Sequence, residues 1–263
     1  MQQRNICLCL AYDGTAYKGW QRQRNGPSIQ AVLEEKLGII TKTTVEVNGA
    51  GRTDAGVHAE GLTATFTTAA RIPATAFVKA LNSTLPKDIR ILEANEVGPE
   101  FHARFSATGK TYRYDFFTGI IQPPAERLYR TQLPCRFQPK LVQPGLDILL
   151  GTHDFSSFEA VGSRDRSKTT GRGAVRTIFQ AECLGDAEHF TLRFSGDGFL
   201  RHMVRNLAGT LVWLGTGRLS PEQFTAILAA KDRKQAGPTA PPCGLFLEKV
   251  HYEDFPGIDT VGC

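Results

Sequence analysis

Apolar positions along the chain recur with two periods, and the period switches at definite places. Residues 5–11 (NICLCLA) are apolar at successive positions and predict a strand buried on both faces. Ile29, Val32, Leu33, Leu37 and Ile40 recur at helical spacing, which predicts a helix over 28–39 with Ser28 as its N-cap. Val45 and Val47 alternate with polar residues in 43–49, which reads as a strand. Leu62, Ala64 and Phe66 alternate with threonines in 61–67, the pattern of a half-buried strand. Residues 73–82 open on Pro73, a favourable first helical residue, and carry Phe77, Val78 and Leu81. Residues 89–97 read as a strand, so the order is βαββαβ.

The second half repeats this grammar more loosely. Residues 110–117 place Tyr112, Tyr114 and Phe116 on one strand face, followed by a proline-rich connection. A short helix is expected at 144–150, strands at 174–184 and 189–196, helices at 199–214 and 220–230, and a closing strand at 245–252. Gly215 and Gly217 end the first of those two long helices, and Ser220 with Pro221 opens the second. The expected fold class is α+β, two ferredoxin-like halves with a cleft between them. The expected halves are 1–106 and 107–263, joined by a short break at 106–109.

Composition narrows the classes without choosing among them. At 263 residues, 41% hydrophobic and 22% charged, the chain can bury a core without disulfide or metal staples. No apolar run reaches the ~20 residues of a membrane helix, and the N-terminus lacks the shape of a cleavable signal. The expectation is a cytoplasmic protein with no membrane association. Six scattered cysteines, without CxxC, suit reduced thiols, and dispersed histidines predict no metal site. The net charge of +5 is concentrated locally. Residues 164–176 carry Arg164, Arg166, Lys168, Arg172 and Arg176, and residues 18–24 set Lys18, Arg22 and Arg24 around Trp20. Basic clusters with an aromatic suit a polyanion with stackable bases. A solvated loop and a half-buried tryptophan account for the same residues.

The segment 48–61, NGAGRTDAGVHAEG, is the most unusual of the chain. Gly49, Gly51, Gly56 and Gly61 bracket Arg52, Thr53, Asp54 and His58 between two expected strands that a two-residue turn could have joined. Such a loop lets the backbone approach a ligand, and a carboxylate within it is a candidate catalytic group. A loop salt bridge or an Asx-turn is the alternative. No phosphate-binding loop, GxSxG or serine–lysine pattern is present, so the chemistry needs a single carboxylate, Asp54.

GAGRTDAGVHAEG resembles the catalytic motif of the TruA family of tRNA pseudouridine synthases. YDGTAYKGWQRQ (12–23), KTYRY (110–114), GTHDFSSF (151–158), FLRHMVRNLAGTL (199–211) and APPCGLFLEKV (240–250) resemble further family motifs in the same order. The resemblance covers about residues 5–252. It implies two ferredoxin-like halves forming one extended antiparallel sheet, with the active site in the cleft. It implies isomerisation of uridine to pseudouridine at positions 38, 39 and 40 of the tRNA anticodon stem-loop, without a cofactor, by a homodimer.

Carried over residue by residue, the resemblance makes Asp54 the essential aspartate and Arg205 the arginine that pairs with it. Tyr112 becomes a catalytic tyrosine that stacks on the target uracil and assists proton transfer, and Leu245 an apolar residue lining the uracil pocket. Arg52 and His58 flank Asp54 as substrate-binding residues that contact the RNA backbone or order the loop. Lys18, Trp20, Arg22, Arg24, Arg164, Arg166, Lys168 and Arg172 are expected to form the RNA-binding surface. A carboxylate can attack the sugar, attack carbon 6 of uracil, or take the ribose 2′ proton, and the sequence leaves all three open. Phe246 stands where the family usually has a tyrosine. Two rivals remain: a non-catalytic RNA-binding protein, which has no need of Asp54, and a nucleoside glycosidase, which would want a second carboxylate.

Overall fold

The computed structural model describes residues 3–133, 136–163, 171–185 and 188–253. The elements run β1 (Arg4–Tyr12), α1 (Ile29–Thr41), β2 (Asn48–Gly49), β3 (His58–Thr68), α2 (Ala76–Thr84), β4 (Ile89–Val97) and β5 (Ala107–Phe117). They continue with β6 (Thr131–Gln132), α3 (Gln143–Leu149), β7 (Gly151–Asp154), β8 (Val175–Gly185), β9 (His189–Gly196), α4 (Met203–Gly215), α5 (Pro221–Ala230) and β10 (Leu245–Tyr252). The fold is α+β with mostly antiparallel strand pairing.

The chain divides into two compact units, one of residues up to Lys110 with those from Phe246 onward, the other Thr111–Leu245. This differs from the expected division after residue 106. The last strand returns to the first unit because β10 pairs in parallel with β3, Phe246 opposite His58 and Leu247 opposite Ala59.

In the first unit the strand order is β4-β1-β3-β10, with β2 on β3. β1 runs antiparallel to both β3 and β4. Leu8, Leu10, Leu62, Phe66, Leu33, Leu37 and Phe77 close the core, Phe66 meeting Phe77 edge-on at 5.3 Å. Ser28 caps α1 by accepting from the Ala31 N–H, as its sequence position predicted. The expected strand at 43–49 shrinks to the two residues of β2. Val45 and Val47 are still buried, but the Val47 backbone bonds to side chains of α1, its N–H to Glu34 and its carbonyl to Gln30. Those bonds satisfy the backbone without a ladder. β3 is buried on both faces, since Thr63 and Thr65 are covered as well as Leu62 and Phe66. Tyr252 of β10 donates its hydroxyl to the Ala103 carbonyl at 2.7 Å. α2 starts at Ala76 because Pro73 and Ala74 carbonyls first close a turn.

In the second unit the order is β5-β9-β8-β7, with β6 parallel to β5. The expected break at 106–109 is instead largely the start of β5. Phe116, Phe155, Phe158, Phe194, Leu207, Leu211 and Phe224 form the core. α4 begins at Met203 rather than 199, because His202 takes a left-handed conformation (φ 61°) that no right-handed helix can include. α5 carries a complete capping box between Ser220 and Gln223.

Cys7, Cys183 and Cys243 are free thiols. Burial, then Glu93, pushes the Cys7 thiol up to about 12, and burial pushes Cys183 to about 11. Neither is a thiolate near neutral pH. Cys9 departs from the reduced-thiol expectation and is disulfide-bonded. Spacing carried no signal of it, because pairing depends on which sulfurs the fold brings together.

Candidate active site

Asp54 sits half-buried on the loop between β2 and β3, and its neighbours on that loop are fastened one by one. The Ala50 N–H bonds to the Thr63 carbonyl at 2.8 Å. Thr53 is buried, its hydroxyl 2.8 Å from the Tyr12 hydroxyl at the end of β1. The Thr53 carbonyl accepts from the Trp20 N–H at 3.2 Å, and the Gly56 N–H bonds to the Tyr17 carbonyl at 3.2 Å. The Val57 N–H closes a turn onto the Asp54 carbonyl at 3.1 Å, with Gly56 at φ 77°. The Tyr17 hydroxyl in turn bonds to Asp88 at 2.7 Å. Burial, then Asp88, raises that hydroxyl well above its ordinary value. Asp54 is thus carried by a backbone with little freedom to move.

Two glycines make this possible. Gly19, at φ 92°, lies so close to the Thr53 carbonyl that a side chain there would collide with it. Gly49 lies against the Trp20 indole, where an added Cβ would stand 2.5 Å from the ring. Gly49→Ala is therefore expected to cost about 1–3 kcal/mol by overpacking. Thermal unfolding checks this, and an unchanged midpoint would show that the indole moves aside freely. Removing the Tyr12 hydroxyl should be milder: Tyr12→Phe is expected to cost about 0.5–1.5 kcal/mol. Because the lost bond holds Thr53, its effect on turnover should exceed its effect on KM. Steady-state kinetics beside a melting curve checks this, and a rise in KM alone would contradict it.

Of the residues flanking Asp54, Arg52 is exposed. His58 is 1% exposed and stacks on Phe246, centroids 4.6 Å apart and planes 22° apart. Its Nδ1 accepts from the Gly14 N–H at 3.1 Å. An imidazole so enclosed fits the loop-ordering alternative, not direct contact with an RNA backbone.

The second unit holds the other expected site residues. Tyr112 on β5 is buried and meets Phe199 edge-on at 5.0 Å. Tyr114, on the same strand, is fully buried, with its hydroxyl bonded to Thr131 and to the Pro241 carbonyl, both at 2.6 Å. Burial raises the Tyr114 hydroxyl, while its bond to Thr131 and the nearby Arg205 charge act the other way. Arg205 lies in the first turn of α4. Its Nε donates to the Ala240 carbonyl at 2.8 Å, and the Ala240 N–H bonds back to the Arg205 carbonyl at 3.1 Å.

Residues 233–240 are fixed in their turn by the next residue of α4. The fully buried Asn206 accepts from Arg233 at 3.0 Å and from the Thr239 hydroxyl at 2.6 Å, and donates to the Phe158 carbonyl at 2.7 Å. Leu245 opens β10 and is buried. It follows Gly244, whose added Cβ would stand 2.6 Å from the Asp115 carbonyl.

The residues expected to bind RNA differ in exposure. Lys18, Arg22, Arg24 and Arg172 are exposed. Arg22 forks onto Glu34 at 2.5 and 2.7 Å, and Arg172 pairs with Asp197 at 2.6 Å. Trp20 is 2% exposed. As a correction, its indole offers no face for a base: burying so large an apolar ring on Gly49 anchors the aspartate loop instead. Arg164, Arg166 and Lys168 lie outside the described residues. Among the described residues no group of three or more His, Cys, Asp or Glu could hold a metal ion. No helix among them is long and apolar enough to cross a membrane. Sequence reasoning missed Tyr12, Tyr17, Asn206, Arg233 and Thr239. Tyr12, Tyr17 and Asn206 stood inside the quoted motifs, but nothing in their spacing showed what they hold.

A family model described as tRNA pseudouridine synthase matches residues 8–106 and 146–253. The tRNA pseudouridine synthase A 1 of Desulfotalea psychrophila is 50% identical over 252 residues, covering 95% of this chain and 100% of that protein. The tRNA pseudouridine synthase A of Exiguobacterium sibiricum is 43% identical over 251 residues, covering 95% and 98%. That of Myxococcus xanthus is 42% identical over 255 residues, covering 97% and 94%. The family model spans the aspartate loop, α4 and β10 but not β5, and with the relatives' coverage of most of the chain it shows that the chain belongs to the tRNA pseudouridine synthase family.

Proposed function

We propose that this protein isomerises uridine to pseudouridine in tRNA, at positions 38, 39 and 40 of the anticodon stem-loop. Asp54 is its essential catalytic carboxylate. The observation that carries the reading is the aspartate loop itself: a half-buried carboxylate whose neighbours are fixed by Tyr12, Tyr17 and Trp20. Catalysis by a group held in place before the substrate arrives avoids the cost of ordering it at the moment of reaction.

The reaction breaks the glycosidic bond, turns the base, and rejoins it through carbon 5. Nothing is added or removed, so no cofactor is required. A carboxylate serves at the sugar, at carbon 6, or at the 2′ proton, as in glycoside chemistry. In this reading Arg205 pairs with the aspartate and favours its ionised form. Tyr112 stacks on the displaced uracil, and Leu245 lines its pocket. Arg52 contacts the RNA, and Lys18, Arg22, Arg24 and Arg172 place the phosphates.

The fold assignment is two ferredoxin-like halves, and the protein acts as a cytoplasmic homodimer. The strand order β4-β1-β3 with β2 on β3 supports the ferredoxin-like reading of the first unit. The dimer rests on the resemblance of the motifs.

The test is incubation of tRNA carrying tritium at carbon 5 of its uridines. Tritium release to water with the base retained in the RNA supports the synthase. Free uracil would turn the reading to a glycosidase. Binding of tRNA with neither product would turn it to a binding protein.

A further inference from the structure

We infer that His58 is a positioning residue for Asp54, clamping the far end of the aspartate loop between the turn at 13–15 and the ring of Phe246. The inference rests on the assignment of Asp54 as the catalytic carboxylate. Four features of the fold tie this histidine to that carboxylate.

The first is the chain itself. The 54–57 turn, closed by the Val57 N–H on the Asp54 carbonyl, leaves no slack between the two residues. The second is the turn at 13–15. Gly14 lies so close to the Val57 carbonyl that any side chain there would collide with it. Its N–H donates to His58 Nδ1 at 3.1 Å. The third is Asp13, whose Oδ1 stands 3.2 Å from the same Nδ1 and is oriented by the Thr15 N–H and hydroxyl at 2.9 and 2.6 Å. Nδ1 cannot serve both partners at once. While it accepts from Gly14 it carries no proton, and Asp13 becomes its partner only when Nδ1 itself holds a proton, in the neutral Nδ1–H tautomer or the imidazolium. The fourth is Phe246, stacked on the imidazole and opposite it in register.

A hydrocarbon could fill this buried space and keep the stack. What it could not supply is the acceptor for the Gly14 N–H. That acceptor ties the end of the aspartate loop to the first motif of the chain, and β3 ties it to the last. At the end of the Asp54 loop, His58 thus meets both Gly14 and Phe246 through a single side chain.

The experiment separates the acceptor from the ring. His58→Phe keeps an aromatic on Phe246 and removes the acceptor. His58→Asn removes the aromatic and puts an oxygen near the place of Nδ1. His58→Gln puts its polar end nearer the place of Nε2. Each is assayed in the full chain by tritium release, with the folded fraction from melting curves and Asp54→Asn alongside.

The expected result is a kcat for His58→Phe and His58→Gln lower by about tenfold or more, with KM within about twofold. In His58→Asn the kcat should return to within about threefold of the wild type. Equal losses in Asn and Phe variants, losses that follow the folded fraction alone, or a wild-type kcat in His58→Phe would each overturn the inference. If His58→Phe does not fold, the Asn and Gln variants decide it: Asn must exceed Gln in kcat, and equality overturns it. An active Asp54→Asn would instead overturn the assignment of Asp54. An inactive Asp54→Asn with unaffected His58 variants overturns this inference alone.

Discussion

Asp54→Asn is expected to lower kcat for tritium release by on the order of 10⁴ or more while the protein stays folded and still binds tRNA. The amide is nearly isosteric with the carboxylate, so the loop should survive. The bonds fixing it come from Thr53, Gly56, Val57 and their partners, not from the carboxylate oxygens alone. What the amide lacks is the charged oxygen that serves as nucleophile in two of the three routes open to Asp54 and as base in the third. Single-turnover kinetics with labelled tRNA, beside a filter-binding isotherm, makes the measurement. A residual rate within tenfold of the wild type would remove Asp54 from the chemistry. A loss of tRNA binding equal to the loss of rate would make it a binding residue.

The second large effect is expected from a residue that touches no substrate in this reading. Trp20→Ala should destabilise the protein by about 3–5 kcal/mol, the range for deleting a large buried aromatic. It should also lower turnover. Trp20 is 2% exposed, rests on Gly49, and brackets the loop through its backbone: its N–H bonds to Thr53 and its carbonyl accepts from Gln30. Alanine keeps those backbone groups but removes the indole that sets their position. Urea unfolding followed by fluorescence or circular dichroism gives the stability change. A loss below about 1 kcal/mol would show that the site collapses around the deletion. A full loss of stability without any change in kcat at a temperature where the variant is folded would separate the indole from the loop's function.

Much of this architecture could be read from periodicity, and the departures have identifiable causes. The strand at 89–97 coincides with β4, and Ser28 and Ser220 cap the helices they precede. These features depend on local pattern alone. The strand expected at 43–49 was cut short because Glu34 and Gln30 satisfy the Val47 backbone from a helix 13 and 17 residues away. Alternation cannot reveal a partner at that distance. The half-buried reading of 61–67 missed the burial of Thr63 and Thr65, because alternation shows which residues share a face and not what packs on it.

The site divides in the same way. Asp54 stood out because glycines bracket it, a purely local signal. Trp20 was read as a base platform because its neighbours Lys18, Arg22 and Arg24 are basic, yet the residue that decides its place is Gly49, distant in sequence. For His58 the sequence left RNA contact and loop ordering both open, and enclosure by Gly14 and Phe246 fits the second. The support of Arg205 by Ala240 depends on Asn206, Arg233 and Thr239, which no spacing rule links.

The parallel pairing of β10 with β3 also orders events during synthesis. The aspartate loop is translated early, but the ring that closes over His58 belongs to residue 246. Contacts of such sequence separation form late and set the pace of folding. A nascent chain can therefore build β1, β3 and β4 against one another while His58 still lacks its cover. The site's geometry is completed only when nearly the whole chain has left the ribosome, so a prematurely terminated product would carry the aspartate without its finished setting.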